Sequence, residues 1–493
     1  MDRIMLKEMD FDKLPQTYAD DKTKHLGEEF DKLQRELQAK NIPVLILLEG
    51  WESSGKGHIL NDLAREMDPR YVRVEVFEET TEEEESHQTS WRYWQRIPSR
   101  QEIVIYDRSF YNVVLNDRKI KEKDLQGKIQ ELKNFETMLT DDGYIVIKYF
   151  LHVTEDRQKK RIKELEKSEY QEYLLDDIDY DQNDHYDKYL KHFEEVLELT
   201  NSETHPWHII NAQDLKLASK QILGKTMEII REAMPQVEAE RRKKQATNRD
   251  FKLEDDQLDK EDLSRQLTKE EYHEIKDDLQ ERAAKLVYEC YTKNIPIVLA
   301  FEGVDAAGKG GAIQRLTREI DPRSYKIFGI KAPTQEELDH HYLWRFQTKF
   351  PQDGQMRIFD RSWYGRVLVE RIEGFASEKE WERAYQEINQ MEKELTDHGT
   401  ILMKFFLYID KDEQAARFED RQEDPDKNYK ITDEDWRNRE KWDAYELAYE
   451  EMLARTSKDQ APWYVVGTNQ KYFARIQVLK TFIDHVEKYL DQL

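Results

Sequence analysis

The sequence predicts an α/β protein made of two tandem copies of a doubly wound domain, each with a parallel sheet and a helical lid. The first observation behind this prediction is an internal repeat of about 230 residues, which is far too long for one unit of a solenoid. The second is that short, continuous apolar runs alternate with long charged segments of helical character. This alternation is typical of parallel strands that are covered by helices on both faces. In such a sheet, the functional site lies at the carboxyl ends of the strands.

The repeat holds a constant register along the chain. An offset of 253 residues carries Asn41-Ile42-Pro43 onto Asn294-Ile295-Pro296, and it carries Asp107-Arg108-Ser109 onto Asp360-Arg361-Ser362. The second copy then gains three residues, and the offset of 256 carries Lys148 onto Lys404. We expect Pro235 to end a helix and the polar run after it to be a linker. The predicted units are a first repeat at 1–234, a linker at 235–258 and a second repeat at 259–493.

Three buried strands are predicted in each repeat, in order along the chain. The apolar runs that predict them lie at 43–48, 103–106 and 144–147 in the first repeat and at 296–301, 356–359 and 401–406 in the second. The first run of each repeat leads into a glycine-rich turn and then into a segment of helical character. A strand, a glycine turn and a helix in this order form the usual setting of a phosphate-binding loop.

The turn of the second repeat fits the spacing Gly-x4-Gly-Lys, from Gly303 through Gly308 to Lys309. Glycines let backbone N–H groups approach phosphate oxygens, and the helix that follows directs its positive end at the same anion. Lys309 adds a full positive charge. Gly310 stands where the usual motif has serine or threonine, so the hydroxyl that helps to hold magnesium is missing. We predict a phosphate site at Gly303, Gly308 and Gly310, with another oxygen ligand for the metal.

Two carboxylates can supply that oxygen. Asp305 lies inside the loop, and Asp360 follows a later strand in the way that a Walker B aspartate does. Asp360 can hold Mg²⁺, directly or through water, and the neighbouring Arg361 can hold a phosphoryl group. The alternative is a helix cap at Asp360 that is ion-paired with Arg361. Because the loop lies upstream, we predict that Asp305, Lys309, Asp360 and Arg361 are catalytic and that Asp305 and Asp360 bind the metal.

Basic residues accumulate after the loop, and phosphoryl transfer depends mainly on positioning and positive charge. The segment from Arg417 to Arg439 is predicted to be a lid, although a solvated helix explains any single one of these residues equally well. The basic residues of the second repeat are Lys331, Arg345, Arg366, Arg371, Arg417, Arg421, Lys427, Lys430, Arg437 and Arg439. Those predicted to bind phosphate are Lys331, Arg366, Arg371, Arg417, Arg421, Lys430 and Arg439.

The composition narrows the function further. The formal net charge of −26 argues against broad nucleic-acid binding, which normally requires a basic surface, but a local basic pocket can still bind an anion. The single cysteine, Cys290, excludes an internal disulfide and is typical of a reducing compartment. The segment 1–10 lacks the apolar core of a signal peptide, and no apolar run reaches the length of a membrane span. We therefore expect a cytoplasmic protein with no membrane or nucleic-acid partner; assembly into a homo-oligomer is left open.

The second repeat resembles the polyphosphate kinase 2 family over about residues 263–493. The segments that carry the resemblance are 302–311, 331–334 (Lys-Ala-Pro-Thr), 343–345 (Leu-Trp-Arg) and 359–364 (Phe-Asp-Arg-Ser-Trp-Tyr). The family has glycine in place of the loop hydroxyl, as Gly310 is here. The resemblance implies Mg²⁺-dependent transfer of a phosphoryl group between inorganic polyphosphate and a nucleotide, without a covalent enzyme intermediate. Members with two fused domains resemble polyphosphate:AMP phosphotransferases, which make ADP from AMP.

The first repeat keeps the loop but loses charges around it. Glu52 stands at the position of Asp305, and Glu78 at that of Lys331. Leu174, Asp181 and Asn183 replace Lys430, Arg437 and Arg439 of the lid. Because charge reversal repels phosphate in a partly desolvated pocket, we predict that the first repeat is catalytically inactive. The survival of Lys56 and Asp107 is the argument for the opposite view.

Three other functions are compatible with these motifs. The first is a polyphosphate-dependent kinase that converts ADP to ATP, and the second is an ATP-dependent nucleotide kinase. The third is a non-catalytic protein that senses nucleotide or polyphosphate. The missing loop hydroxyl and the double domain argue against the ATP-dependent kinase, and the resemblance to two-domain family members implies AMP as the acceptor.

Overall fold

The computed structural model describes residues 6–12, 17–168, 175–242, 257–424 and 433–493. The chain divides into two compact units. One unit comprises Met1–Thr80, Arg92–Lys243 and Gln335–His341, and the other comprises Thr81–Trp91, Lys244–Thr334 and Tyr342–Leu493. Each unit contains one five-stranded sheet, so the prediction of two tandem α/β domains with parallel sheets is confirmed.

The helices and strands of the first repeat follow one another in this order: α1 Thr23–Lys40, β1 Val44–Gly50, α2 Lys56–Arg65, β2 Val72–Val76, α3 Glu82–Glu85, α4 Trp91–Trp94, β3 Ile103–Asp107, α5 Asn112–Leu115, α6 Glu122–Asp141, β4 Ile145–His152, α7 Glu155–Glu166, α8 Asp177–Asp184, α9 Tyr186–Thr200, β5 Trp207–Asn211 and α10 Leu215–Arg242. A short 3-10 helix, Leu6–Glu8, precedes them.

The second repeat has the same order of strands: α11 Lys269–Thr292, β6 Ile297–Gly303, α12 Lys309–Leu316, β7 Tyr325–Gly329, α13 Gln335–Leu338, α14 Trp344–Gln347, β8 Met356–Asp360, α15 Val369–Ile372, α16 Glu378–Asp397, β9 Ile401–Tyr408, α17 Lys411–Glu423, α18 Asp433–Glu440, α19 Trp442–Thr456, β10 Trp463–Gly467 and α20 Lys471–Leu490. A 3-10 helix, Trp363–Arg366, lies between β8 and α15.

The two sheets have equivalent strand orders, β2-β3-β1-β4-β5 and β7-β8-β6-β9-β10. Every pairing is parallel. The predicted runs form β1, β3 and β4 in the first sheet and β6, β8 and β9 in the second, where nearly every residue is buried. This order places the loop strand β6 between β8 and β9, so their carboxyl ends meet at one edge.

The sequence missed the outer strands β2, β5, β7 and β10. The strands β2 and β7 are edge strands with mostly half-exposed or exposed residues, and polar residues interrupt them. A strand with one free edge does not require the continuous apolar run that identifies a strand buried on both faces.

A buried lysine links each sheet to its helices. Lys404 of β9 pairs with Glu392 of α16 at 2.6 Å, and its Nζ also donates to the Thr456 carbonyl at 2.8 Å. In the first repeat, Lys148 pairs with Glu136 at 3.0 Å in the same arrangement. Because a buried charge needs a partner, the repeat retains both members of the pair together.

The prediction that Pro235 ends a helix is wrong. The helix α10 runs through Pro235 to Arg242. The proline removes one backbone hydrogen bond, but the turns after it are anchored by side chains. Glu238 accepts a hydrogen bond from Lys40 at 2.6 Å, and the Arg241 guanidinium donates to the carbonyls of Lys40 and Asn41 at 2.9 and 3.0 Å. The domain boundaries at 234 and 259 stay a prediction.

No helix in the part of the chain that the structure describes is long and apolar enough to cross a membrane.

Candidate active site

The loop between β6 and α12 requires two of its glycines for steric reasons. Gly303 has φ +143°, and a Cβ on it would lie 2.2 Å from the Leu407 carbonyl oxygen of β9. Gly308 has φ +102° and forms the N-cap of α12. A side chain at the first position would collide with backbone, and one at the second would be strained. The loop therefore turns tightly from β6 into the helix, whose first N–H groups and positive dipole end are available to an anion.

Lys309 is the first residue of α12, and backbone carbonyls of the loop hold its ammonium group. Its Nζ donates to the Gly303 carbonyl oxygen at 2.8 Å, and it forms no ion pair with any described residue. Burial lowers the pKa of Lys309, although the nearby Asp305 and Asp360 carboxylates oppose that shift. An ammonium group held by a loop carbonyl, with no carboxylate bound to it, is free to bind a phosphate oxygen.

Asp305 and Arg361 meet above the loop. The Arg361 guanidinium donates to Oδ1 of Asp305 at 3.1 Å, and the Asn438 amide donates to Oδ2 at 3.0 Å. Arg361 has φ +64°, so the turn after β8 directs its side chain away from the strand, and 55% of that side chain is exposed. The guanidinium therefore fixes the loop carboxylate while keeping nitrogen atoms exposed to a ligand.

Asp360 ends β8 beside the first turn of α12. A Cβ on Gly310 would lie 4.0 Å from Oδ2 of Asp360, and no hydrogen bond among the described residues occupies this carboxylate. The turn that follows is held from below by Glu302, which accepts hydrogen bonds from the Ser362 N–H and hydroxyl, each at 2.7 Å. Burial raises the pKa of Glu302. The buried glutamate thus positions the turn, and Asp360 is left available to a cation.

Asp360 and Asp305 are suited to a magnesium ion that is shared with the substrate rather than to a metal site formed entirely by protein side chains. Among the described residues, no three His, Cys, Asp or Glu side chains converge on one point. Mg²⁺ in kinases commonly takes one or two carboxylates and completes its shell with water and substrate phosphates. The free Asp360 carboxylate next to Lys309 meets that requirement, whereas both oxygens of Asp305 already accept hydrogen bonds.

In the corresponding loop of the first repeat, a glutamate side chain pairs with the basic residues. Glu52, the counterpart of Asp305, is 4% exposed and accepts from Lys56 at 2.9 Å. It also accepts from Nε and Nη2 of Arg108, both at 3.2 Å. Although burial opposes its ionisation, the charges of Lys56 and Arg108 lower the pKa of Glu52 to about 2. The longer side chain therefore neutralises, within the protein, the two cations that would otherwise meet a phosphate.

The sequence pattern of the family described as polyphosphate kinase 2 matches this chain twice, over residues 13–241 and 266–492. These two matches coincide with the two repeats and together span nearly the whole chain. The chain belongs to the polyphosphate kinase 2 family. The fold and the loop described above are therefore those of a polyphosphate kinase 2 domain, present in tandem.

The chain is similar to full-length members of this family. It is 40% identical over 454 residues to the polyphosphate:AMP phosphotransferase of Pseudomonas aeruginosa, covering 91% of this chain and 92% of that protein. It is 36% identical to the polyphosphate:AMP phosphotransferase of Acinetobacter johnsonii, covering 90% and 91% of the two chains. A crystal structure described as polyphosphate kinase 2 from Pseudomonas aeruginosa matches with a TM-score of 0.84 and 38% identity over 97% of both chains.

Within this polyphosphate kinase 2 fold, the predicted basic residues do not all lie at the loop. Arg417 is buried, and its guanidinium donates to the carbonyls of Ala306 at 2.9 Å and Asn469 at 3.1 Å, so it braces the loop against the segment after β10. Arg439 donates to Gln414 at 3.2 Å. The predicted lid thus begins in α17, which contacts the loop through Arg417, and ends in α18, which contacts α17 through Arg439.

Two further predicted arginines have partners elsewhere. Arg366 pairs with Glu370 at 3.0 Å, one turn along the chain. Arg371 pairs with Glu451 at 2.7 Å and stacks 4.0 Å above the Trp381 ring. Lys331 and Arg437 are exposed, Arg421 is half-buried, and Arg345 donates to the Lys331 carbonyl at 2.9 Å. Lys427 and Lys430 lie outside the described residues, as does Leu174 of the first repeat. The site assignments of all these residues stay predictions.

Sequence reasoning assigned no role to three polar residues of this site. Glu302 supports the Asp360 turn, Asn438 holds Asp305, and Gln414 donates to the Asp305 carbonyl at 3.2 Å. Burial and the Asp305 charge also raise the pKa of Tyr449, which lies nearby on α19. The signal for Glu302 was present, since Glu49-Gly50 and Glu302-Gly303 match in the repeat. Asn438 lies between Arg437 and Arg439, and no pattern in the sequence distinguishes it from other polar residues of a solvated helix.

Proposed function

We propose that the second repeat transfers the terminal phosphoryl group of inorganic polyphosphate to AMP, giving ADP and a polyphosphate shortened by one phosphate. The observation that carries this proposal is the difference between the two loops. Lys309 forms no ion pair with any described carboxylate, although Asp305 and Asp360 lie near it, whereas Lys56 and Arg108 are both bonded to the buried Glu52. Between the two described loops, it is therefore the second whose lysine can bind a phosphate without first giving up an ion pair. The similarity to polyphosphate:AMP phosphotransferases over nine tenths of the chain supports the acceptor.

In the proposed reaction, an oxygen of the AMP phosphate attacks the terminal phosphorus of polyphosphate. One P–O bond forms, the bridging P–O bond breaks, and the shortened chain leaves as an anion. The chemistry requires little covalent participation from the protein, so the residues act by position and charge. Lys309 and the N-terminus of α12 hold the donor phosphate. The exposed Arg361 guanidinium stabilises the charge that spreads over the transferred oxygens.

We propose Mg²⁺ as the metal, bound through Asp360 with Asp305 near it. When bound, the ion would draw charge from the phosphate oxygens of donor and acceptor. The residues of this chain prepare the site without it. Glu302 holds the turn that presents Asp360, and Asn438 and Arg361 hold Asp305.

We propose that the first repeat does not catalyse phosphoryl transfer. A phosphate entering that loop would have to displace Glu52 from two cations, and it would meet the Glu52 charge in a buried site. The repeat retains a complete sheet and the Lys148–Glu136 pair, so it is a stable domain with a closed loop. The proposed location of the protein is the cytoplasm, since Cys290 is a buried thiol without a disulfide partner.

The test is a phosphotransfer assay on the full chain with long-chain polyphosphate, AMP and Mg²⁺, with no ATP present. ADP is followed by chromatography. We expect ADP formation that EDTA abolishes and that excess Mg²⁺ restores. ATP formed from ADP, with no product from AMP, would replace the acceptor. ADP formed from ATP and AMP, with no product from polyphosphate, would replace the donor, and silence with both donors would refute catalysis.

A further inference from the structure

A group of three cationic residues lies on the side of α12 that the proposed mechanism does not use. Arg315 belongs to α12, and Lys471 and Arg475 lie one turn apart at the start of α20. A Cβ on Gly311, in the first turn of α12, would lie 3.8 Å from Nη2 of Arg475 and 4.0 Å from Nη1 of Arg315. The two guanidinium groups therefore face each other across the start of the phosphate-loop helix. We call Arg315, Lys471 and Arg475 the α12–α20 cluster.

The charges of the α12–α20 cluster are not balanced locally. Arg315 donates to the carbonyls of Gly311 at 3.4 Å and of the Gln314 side chain at 2.6 Å. Arg475 interacts with the Tyr272 hydroxyl. In the part of the chain that the structure describes, no carboxylate forms an ion pair with any of the three; Glu413 and Asp420 act on Lys471 only from a greater distance.

The positive charges of the cluster lie close enough to oppose one another. Burial and the Arg315 charge lower the pKa of Arg475, and burial and the Arg417 charge lower the pKa of Lys471. Holding like charges together is unfavourable unless an anion joins them. This arrangement is unexpected on a chain whose net charge is −26, in which acidic partners are plentiful.

The first repeat has no cationic residue at the positions that correspond to the α12–α20 cluster. The repeat offsets place Asp62 at Arg315, Leu215 at Lys471 and Ser219 at Arg475. Ser219 donates to Asp62 at 2.8 Å, and His58, the counterpart of Gly311, lies 3.3 Å from the same carboxylate. The Leu215 side chain comes within 2.5 Å of the Cβ position of Gly55. At these three positions the first repeat therefore has an acidic residue, an apolar residue and a serine, and the serine donates to the acid.

In the second repeat, charge and open space therefore occur together. At Gly308, the counterpart of Gly55, the nearest described group to a Cβ is the Arg417 guanidinium at 4.0 Å, so no described side chain packs against this side of the loop as Leu215 does in the first repeat. A donor that consists of many linked phosphates carries charge well beyond the group it transfers. Cations beside the loop helix can bind that remaining charge.

We propose that the α12–α20 cluster is a second phosphate-binding subsite, which holds the polyphosphate chain beyond the phosphoryl group in transfer. This inference rests on the proposed function and names the part of the site that distinguishes a polymeric donor from a short one. The subsite contributes affinity for the donor but does not contact the reacting phosphorus. Its loss should therefore raise the KM for long chains and leave kcat unchanged.

The test compares the double variant Arg315→Gln/Arg475→Gln with the control Arg318→Gln/Lys480→Gln. The control removes the same charge from two exposed residues of the second repeat. For the first variant, we expect the KM for long-chain polyphosphate to rise about five- to thirtyfold, the scale of two partly exposed charge contacts, with kcat and the KM for AMP within twofold of wild type. The KM for tripolyphosphate should rise less. The control should match wild type.

Equal increases of the KM in both variants would refute the subsite, because they would reflect overall charge alone. An increased KM for AMP with an unchanged KM for polyphosphate would also refute it, because the cluster would then face the acceptor. Equilibrium binding of long-chain polyphosphate to the full chain, without AMP, separates this inference from the proposed function. Binding that weakens only in the Arg315→Gln/Arg475→Gln variant supports the subsite even if no ADP forms, and unchanged binding overturns it.

Discussion

The two loop lysines occupy equivalent positions, and their removal should have opposite consequences. Lys309→Ala removes an ammonium group that donates to the loop carbonyls of Gly303 at 2.8 Å and Val304 at 3.5 Å and that forms no ion pair with a described carboxylate. Losing one preorganised charge from a phosphoryl-transfer site costs about 2–4 kcal/mol of transition-state stabilisation, which lowers kcat/KM roughly 30- to 1000-fold. The stability of the second repeat should change little, since no ion pair is broken.

Lys56→Ala should leave the rate of ADP formation unchanged and should destabilise the first repeat. It removes the 2.9 Å partner of Glu52, a side chain that is 4% exposed, while Arg108 still binds both Glu52 oxygens. Breaking a buried pair completely costs about 3–5 kcal/mol, so with Arg108 in place we expect about 2–3 kcal/mol.

The assay for both variants is ADP formation from polyphosphate and AMP, with urea unfolding followed by far-ultraviolet circular dichroism. Lys148→Met, in the buried pair of the first repeat, serves as a second control because it weakens the same domain without touching the loop. A rate loss at Lys56 comparable to that at Lys309 would refute the assignment of catalysis to the second repeat alone. A rate loss shared by Lys148→Met and Lys56→Ala would instead show that domain stability limits activity.

Four further outcomes are expected. Asp360→Asn should lower kcat at least about 100-fold and weaken the Mg²⁺ dependence of the rate, measured by metal titration, because the free carboxylate is lost. Gly303→Ala should destabilise the second repeat by about 2–4 kcal/mol in urea unfolding, since the new Cβ would meet a backbone oxygen at 2.2 Å. Glu392→Leu should cost about 3–5 kcal/mol in the same measurement, because it leaves Lys404 charged and buried, whereas the double change Glu392→Leu/Lys404→Met should recover most of that loss. Burial raises the pKa of Glu49 to about 7 from an ordinary 4.5. Between these two values the unfolded chain ionises this carboxyl group while the folded protein keeps it protonated, so the folded state loses stability as the pH rises from about 4.5 to 7. Glu49→Gln should therefore stabilise the first repeat by about 2 kcal/mol more at pH 8 than at pH 5.5 in denaturant titrations.

The sequence by itself determined the number of domains, the central strands and the phosphate loop. The repeat register is a property of residue identity alone, and strands buried on both faces require continuous apolar runs. The loop motif is equally visible in the sequence, because the spacing of its glycines and lysine is a matter of residue identity, although the steric demand on Gly303 comes from Leu407 on the neighbouring strand β9. The edge strands β2 and β7 escaped detection for the complementary reason, since an exposed edge tolerates polar residues.

Only the tertiary structure decided which cations are free. In the sequence, Arg417, Arg371 and Lys309 are all basic residues that could bind phosphate. In the structure, Arg417 donates to loop carbonyls and Arg371 pairs with Glu451. Lys309 alone among these three lies at the loop without a fixed anion or a bracing role. Glu52 differs from aspartate by one methylene, and the fold turns that small difference into contact with two cations. Electrostatic partnership depends on distances across the fold, and the α12–α20 cluster joins residues 160 positions apart on two helices that pack side by side.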